Sequence, residues 1–443
     1  MIAAALPTAA QEIGGYPLAD QPQGTPNINM KSPTEHLLHG ADSPWERLRA
    51  AGIDLTLQYT GEGAAVAIGG NRRGAAYAGQ LALKADADFA KLAGWSGVST
   101  HAAIVNRHGH NASADYLNDG LFQAQEIYGA GGGVVAHLVY AYGEIALGHG
   151  AVDIEAGRLP VAHDFASSPC YCDDLSTVVC GSPHALPGDP AFTIFPFSTW
   201  GGRVRVKAVS SFAVQAGVYQ VRPKFGGETG FNFGGSGTTG AFFPVELDYL
   251  PKFGRAKPPG HYKLGFTYDT SDYADRLAGP DGLPFVLTGL PARSHPGRAS
   301  GYALADQMVV RTGEGPTDGI VLLGGYIRFD ARTSPLSDLA FGGVHAKGIL
   351  AARRKDALNL LIGYARTSGA LAQTQRLDLD LGLRFANGAA GVRSREIVFE
   401  ADYNIHVVEG FHLAPDVQYV DRPGAMTVNR SATVLGLKVD LIL

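Results

Sequence analysis

From Ile53 to the C-terminus the chain keeps a beat of two. In DLTLQYT (54–60), Leu55, Leu57 and Tyr59 alternate with Asp54, Thr56 and Gln58. QLALKADADF (80–89) sets Leu81, Leu83, Ala85, Ala87 and Phe89 against Gln80, Lys84, Asp86 and Asp88. RVRVKA (203–208), FFPVELDYL (242–250), HYKLGFTYD (261–269), EIVFEADYNIHV (396–407) and TVLGLKVDLIL (433–443) repeat the pattern. In RLDLDLGLRF (376–385), Leu377, Leu379, Leu381, Leu383 and Phe385 oppose Arg376, Asp378, Asp380 and Arg384. A helix with 3.6 residues per turn does not sort residues this way. A strand does, because successive side chains point to opposite faces. Each segment is therefore expected to be a strand, RLDLDLGLRF included. About eighteen such segments follow one another, separated by turn residues such as Asn387-Gly388, which argues for an antiparallel sheet. SPWERLRAAG (43–52) differs. Ser43 suits an N-cap, Pro44 the first helical position and Gly52 the stop, so one short helix is expected there.

The alternation leaves an apolar face and a charged face on strand after strand. In a soluble sandwich the apolar face is a core; in a membrane barrel it meets lipid. Three features favour the barrel. Many segments run about ten residues, the length that crosses a bilayer at a tilt. The polar beat carries both charge signs, as a water-filled interior would. Aromatic residues stand near strand ends (Tyr249, Phe253, Tyr262, Tyr268, Phe329, Phe385, Phe411, Tyr419), as in interfacial girdles. In lipid only a closed barrel satisfies the hydrogen bonds of strands. The expected fold is thus an all-β antiparallel transmembrane barrel of 16–18 strands over 53–443, preceded by the 43–52 helix. Residues 1–42 read as a flexible tail. Its start, MIAAALPTAAQE, is similar to the end of a signal peptide, with Thr8-Ala9-Ala10 as small residues before a cut.

Composition agrees. Of 443 residues 45% are hydrophobic and only 17% charged, with a net charge of −5. No Lys/Arg block suggests nucleic acid as a partner. The longest apolar candidate, VVAHLVYAYGEIALG (134–148), is broken by His137 and Glu144, so no transmembrane helix is expected. Three cysteines cluster in CYCDDLSTVVC. Cys170 and Cys172 are too close to pair comfortably, and a bridge from Cys180 to either would close a small loop in an oxidising compartment. A zinc site would need a fourth ligand, with His184 the only neighbour. GSGTTG (235–240) lacks the βαβ surroundings of a dinucleotide site, and HGH (108–110) suits solvated histidines better than a metal. No cofactor or metal is expected. Ser, His and Asp are plentiful, but none sits in a nucleophile elbow.

Several phrases carry a family likeness: WERLRAAGI (45–53), NRHG (106–109), QEIYG (125–129), AGRLP with DFA (156–166), CYC…CG (170–181), STWGGRVRV (198–206), GVYQVRP (217–223), FPVELDY (243–249), GHYKLGFTYDTS (260–271) and PDVQYVDRPG (415–424). In this order the chain resembles the carbohydrate-selective porins of Gram-negative outer membranes, the OprB type. The resemblance implies a sixteen-stranded barrel passing sugars by diffusion. The surplus over sixteen would then lie in 121–127 or part of 134–158. The resemblance also implies a Cys172–Cys180 bridge, an outer-membrane location among lipid and lipopolysaccharide, and a monomer or homotrimer. At the pore constriction it points to Arg107, Arg158 and Arg203 as donors to sugar hydroxyls such as those of glucose. Glu126 and Asp164 would accept from the hydroxyls and orient the arginines, and Trp200 would offer an aromatic plate. Guanidinium forks and carboxylates replace water around hydroxyls, and a ring offers a surface to the sugar's C–H face. The alternatives are a general diffusion porin and an outer-membrane barrel hydrolase.

Overall fold

The computed structural model describes residues 36–38, 43–118, 120–127, 135–180, 188–222, 229–253, 258–315, 317–385 and 391–443. Most of the 1–42 tail, Thr8-Ala9-Ala10, His184 and the Asn387-Gly388 turn lie outside the described residues. Sixteen strands form one closed antiparallel sheet, in chain order all the way round. They are β1 (Ile53–Gly69), β2 (Gly74–Asp88), β3 (Val98–Gly109), β4 (His137–Leu147), β5 (Val152–Leu159), β6 (Thr199–Val209), β7 (Phe212–Val221) and β8 (Gly240–Tyr249), followed by β9 (Gly260–Ala274), β10 (Ser294–Arg311), β11 (Gly319–Arg328), β12 (Leu336–Lys347), β13 (Ala357–Thr367), β14 (Arg395–Val408), β15 (Phe411–Asp421) and β16 (Ala432–Ile442). The last strand closes on the first, with Gln58 opposite Ile442 and Gly69 opposite Ala432. Every strand therefore has two partners, which is the condition for crossing hydrocarbon.

The burial pattern is the reverse of a soluble sheet. In β9, His261, Lys263, Thr267 and Asp269 are buried, whereas Leu264 is 63% and Phe266 54% exposed. In β1, Asp54, Thr56, Gln58 and Thr60 point inward, and Leu55, Leu57 and Tyr59 outward. The apolar beat thus faces outward and the charged beat faces the lumen. Connections are short at one end, as at 210–211 and 409–410, and long at the other, as at 110–136, 160–198 and 368–394. In outer-membrane barrels the long loops face the exterior and the short turns the periplasm. At the short-turn end Phe212 stacks on Tyr249 at 4.7 Å, and Tyr249 tilts against Tyr262 at 6.1 Å, a piece of aromatic girdle. Phe329 is no part of a girdle: it is buried.

The N-terminal helix α1 spans Pro44–Ala51. Ser43 Oγ accepts from the Glu46 N–H at 3.2 Å, and Gly52 ends the helix in the left-handed region at φ 103°.

One expectation needs correction. The segment 376–385 is not a strand: Gly369–Asp380 is a helix in the loop between β13 and β14. Ser368 caps it by accepting from the Leu371 N–H, and the good helix formers of 370–376 carry it forward. Its buried face holds Ala372, Gln375 and Asp378 at helical spacing, and Leu379, Leu381 and Leu383 are left exposed. The period-two run was overridden by the capped sequence before it. The other surplus segment, 121–127, lies in a loop, the first of the two places the resemblance implied, and β4 and β5 belong to the wall.

Candidate functional site

Two long loops fold into the lumen, and wall carboxylates hold their described parts there. Leu121 N–H and Phe122 N–H donate to Glu396 at 3.0 and 2.8 Å, and Ile127 N–H donates to Glu62 at 2.8 Å. From the 160–198 loop, Ala166 N–H donates to Glu246 at 2.8 Å. Leu175 and Ser176 N–H donate to Glu400 at 2.9 and 2.8 Å, and the Ser176 hydroxyl donates to the same carboxylate. A typical net contribution is about 1 kcal/mol per hydrogen bond, so the set together anchors both loops. Phe165 packs edge-on against Tyr219, and Phe192 against Phe242, so the loop's apolar side is fixed to the same wall. Cys172 and Cys180 are joined in a disulfide within this loop. Lys438 Nζ donates to the Cys172 and Asp174 carbonyls at 3.0 and 3.2 Å. Cys170 is a free, buried thiol beside Met308 and Val321.

Where the loop leaves β5, an ionic and aromatic cluster forms on the inner wall. Arg203 on β6 reaches Glu155 at 2.6 Å and Asp164 at 3.1 Å, and also contacts Asp153. The strand register explains two of these: Glu155 lies opposite Arg203 and Asp153 opposite Arg205, all pointing inward. The third partner, Asp164, comes from the loop. Across the cluster His101 bonds Asp86 at 2.6 Å and faces Glu144 at 3.3 Å, and Lys84 pairs with Asp86 at 2.8 Å. Tyr142 stacks on His101 at 4.8 Å, and its hydroxyl hydrogen-bonds His163 Nε2 at 3.0 Å. Burial holds the His163 imidazole below its ordinary value, so it is a neutral partner near neutral pH. Tyr142 retains 9% exposure and Arg203 8%, edges left to the lumen. Two carboxylate oxygens and an imidazole nitrogen, from Glu155, Asp164 and His163, could hold a cation, as could the carboxylates of Glu144, Asp153 and Glu155, but the Arg203 guanidinium already supplies positive charge to both groups. The ladder continues through Arg205–Asp248 at 3.1 Å and Lys263–Glu246 at 3.1 Å.

A barrel with in-folded loops and a lumen of paired charges is porin architecture, and the relatives agree. The family model for the carbohydrate-selective porins, OprB family, matches residues 72–441. The chain belongs to the OprB family of carbohydrate-selective porins. It is 29% identical to Porin B of Pseudomonas aeruginosa over 406 residues, covering 88% of this chain and 87% of that one. The high-pH structure of Pseudomonas putida OprB superposes with a TM-score of 0.84 at 29% identity, over 90% of this chain and 96% of the other. OmpF of Salmonella typhi shares the fold alone, at 10% identity and a TM-score of 0.52 over 89% of this chain and 99% of that one.

Within this OprB barrel the six residues singled out from the sequence fall into three places. Arg203 and Asp164 meet in the cluster just described. Arg107 and Glu126 belong to a second group, where loop meets wall. Arg107 Nε donates to Gln80 at 2.7 Å and its guanidinium lies over the Phe195 ring at 4.8 Å; the side chain is only 2% exposed. Glu126 pairs with Lys438 at 3.3 Å; burial pushes its carboxyl up to about 7, against the pull of that ammonium. Both brace the loop. Arg158 and Trp200 need correction. They oppose each other across β5 and β6, three register steps from the inward Glu155 and Arg203. Trp200 is 41% exposed beside the outward Val204, and its Nε1 donates to the Phe233 carbonyl at 3.0 Å. Arg158 donates to the Asn232 and Ser198 carbonyls at 2.7 and 2.9 Å. Period two decides this: Arg158 is three residues from Glu155 and Trp200 three from Arg203, so neither shares their face. The aromatic surface at the cluster comes instead from Tyr140 and Tyr142, with ring centroids 5.6 Å apart. Their signal was legible in YAYGE (140–144), where Tyr140, Tyr142 and Glu144 fall on one beat.

Proposed function

We propose that this protein is a passive pore for mono- and small oligosaccharides, such as glucose, in the outer membrane. Its neck lies at the Arg203–Asp164–Glu155 cluster, where the 160–198 loop returns to the wall. The observation that carries this is the meeting of a fixed guanidinium, three carboxylates and the Tyr142–His163 pair on one patch of lumen. A sugar sheds water at a neck and needs donors, acceptors and an apolar plate in return. Arg203 donates, Asp164 and Glu155 accept and hold the fork, and Tyr142 offers its ring edge. Each hydroxyl contact replaces one to water, so binding stays weak enough for release. Solute moves down its own gradient, and no turnover is involved.

The excess of carboxylates over cations around Arg203 supports a second reading, a general porin with a preference for cations. Liposome swelling separates the two. Reconstituted protein is compared on glucose, a disaccharide, an amino acid and a size-matched polyol. Faster entry of the sugars at equal size supports the sugar pore. Rates ordered by size alone leave the general porin.

A further inference from the structure

We infer that the outer wall at β9–β11 carries a binding site for a phosphorylated glycolipid of the outer leaflet. This rests on reading the chain as an outer-membrane barrel with its long loops outside. Over 297–303 the outward positions of β10 are Gly297, Ala299, Gly301 and Ala303, none larger than a methyl group. Flanking them, Leu264, Phe266 and Tyr268 of β9 stand on one side and Tyr326 with Arg328 of β11 on the other. Tall walls beside a low floor make a groove of about 750 Å³ on a face that should be flat. The floor from 297 to 303 runs roughly 20 Å at the rise of an antiparallel strand, the scale of an acyl chain with its headgroup linkage.

The chemistry changes along that length. The lower part, at Leu264, Phe266 and Ala303, is apolar. At the level of Gly301 a belt of charge begins. Gly301 opposes Arg328, Arg328 opposes Asp338, Asp338 opposes Arg366 and Arg366 opposes Arg395, all on the outward face. Asp338 bonds both Arg328 and Arg366, so one carboxylate is shared between two guanidinium groups. Their side chains remain 56% and 52% exposed, and Arg332 just above remains 69% exposed beside Asp330. Arginines facing hydrocarbon would be costly, so the belt marks the headgroup level, where basic side chains attract lipid phosphate. Above the belt the groove continues along the longer β9–β10 hairpin, past Tyr268, Gly297 and Pro296. Gly297 has φ 76°, and a Cβ there would stand 2.3 Å from the Tyr268 hydroxyl oxygen. The floor is held low there as well. A headgroup that reaches past its own phosphate level along a ring and a proline fits a sugar better than a small alcohol.

The test is native mass spectrometry of the full chain in detergent, titrated with a diphosphorylated, acylated disaccharide lipid. Its dephosphorylated form, phosphatidylglycerol and inorganic phosphate are the comparisons. One retained copy of the phosphorylated glycolipid is expected, with weaker retention of each comparison. R328A/R332A and, separately, A299L/A303L should each weaken retention at least tenfold. The leucine pair fills the groove and leaves Asp338 and its arginines untouched, so it stands if the arginine variant fails to fold. Equal retention of the dephosphorylated lipid, retention unaffected by the leucine pair, or self-association of the chain through this face would overturn the inference. Liposome swelling of the same variants should match wild type. Loss of lipid binding with normal sugar entry is a finding about this groove, whereas wild-type vesicles without sugar preference would count against the pore reading.

Discussion

Removing the Arg203 guanidinium tests the proposed neck most directly. Its partners are Glu155 at 2.6 Å, Asp164 at 3.1 Å and Asp153 in contact, three carboxylates to one cation. R203A removes one positive charge from this group and makes it one unit more negative. One added unit of negative charge seen from about 4 Å is worth roughly 1 kcal/mol in water-like surroundings and about 4 kcal/mol at an effective dielectric of 20. The lower figure suits a hydrated lumen and corresponds to about a fivefold rise in local cation occupancy. In a planar bilayer with a KCl gradient, the cation-to-anion permeability ratio of R203A should rise about fivefold at low salt. The rise should shrink near 1 M, where the Debye length falls to about 3 Å. R203K separates charge from shape. It keeps the sign but loses the fork, so its reversal potential should match wild type while its preference for sugars over polyols drops. The barrel of R203A carries a stability cost of about 3–5 kcal/mol for the carboxylates left without their cation, so folding is checked first by heat-modifiable gel migration. A folded R203A with unchanged reversal potential and unchanged sugar preference would refute the placement of the neck.

Three further outcomes follow from the same geometry. Glu400→Ala frees the Leu175 and Ser176 amides from the wall, and single-channel conductance should rise as the loop loosens, with new protease cuts within 160–198. Glu126 is raised by burial in the folded protein, so its stabilising effect is present at low pH and is lost as pH rises from 4.5 to about 7. The melting temperature of wild type should therefore fall across that window more than that of Glu126→Gln, measured at pH 5 and pH 8; parallel curves would refute the assignment. Trp200→Ala, on the outer face, should leave sugar entry within twofold of wild type, and a selective loss of sugar flux would return Trp200 to the neck.

The sequence by itself determined the architecture because a barrel wall is a local code. Each strand needs one face for lipid and one for water, so period two with charge on the alternate beat states both the strand and its environment, as DLTLQYT and HYKLGFTYD show. The short helix was equally local, written by Ser43, Pro44 and Gly52. What period two could not decide was whether an alternating run has a neighbour to pair with: RLDLDLGLRF has the beat, yet Ser368 and the residues after it start a helix that consumes it. Nor could motif likeness assign a face. Trp200 sits in the same phrase as Arg203, but an odd offset turns it to the outer face, and Arg158, its cross-strand partner, is buried over Phe233 instead of joining Glu155. The site itself was a tertiary decision. Arg203 meets Asp164 only because a 160–198 loop folds back into the barrel, and the amides that pin that loop donate to carboxylates as far along the chain as Glu246 and Glu400. Such contacts join residues tens to hundreds of positions apart, and only closure of the barrel brings them within hydrogen-bonding reach.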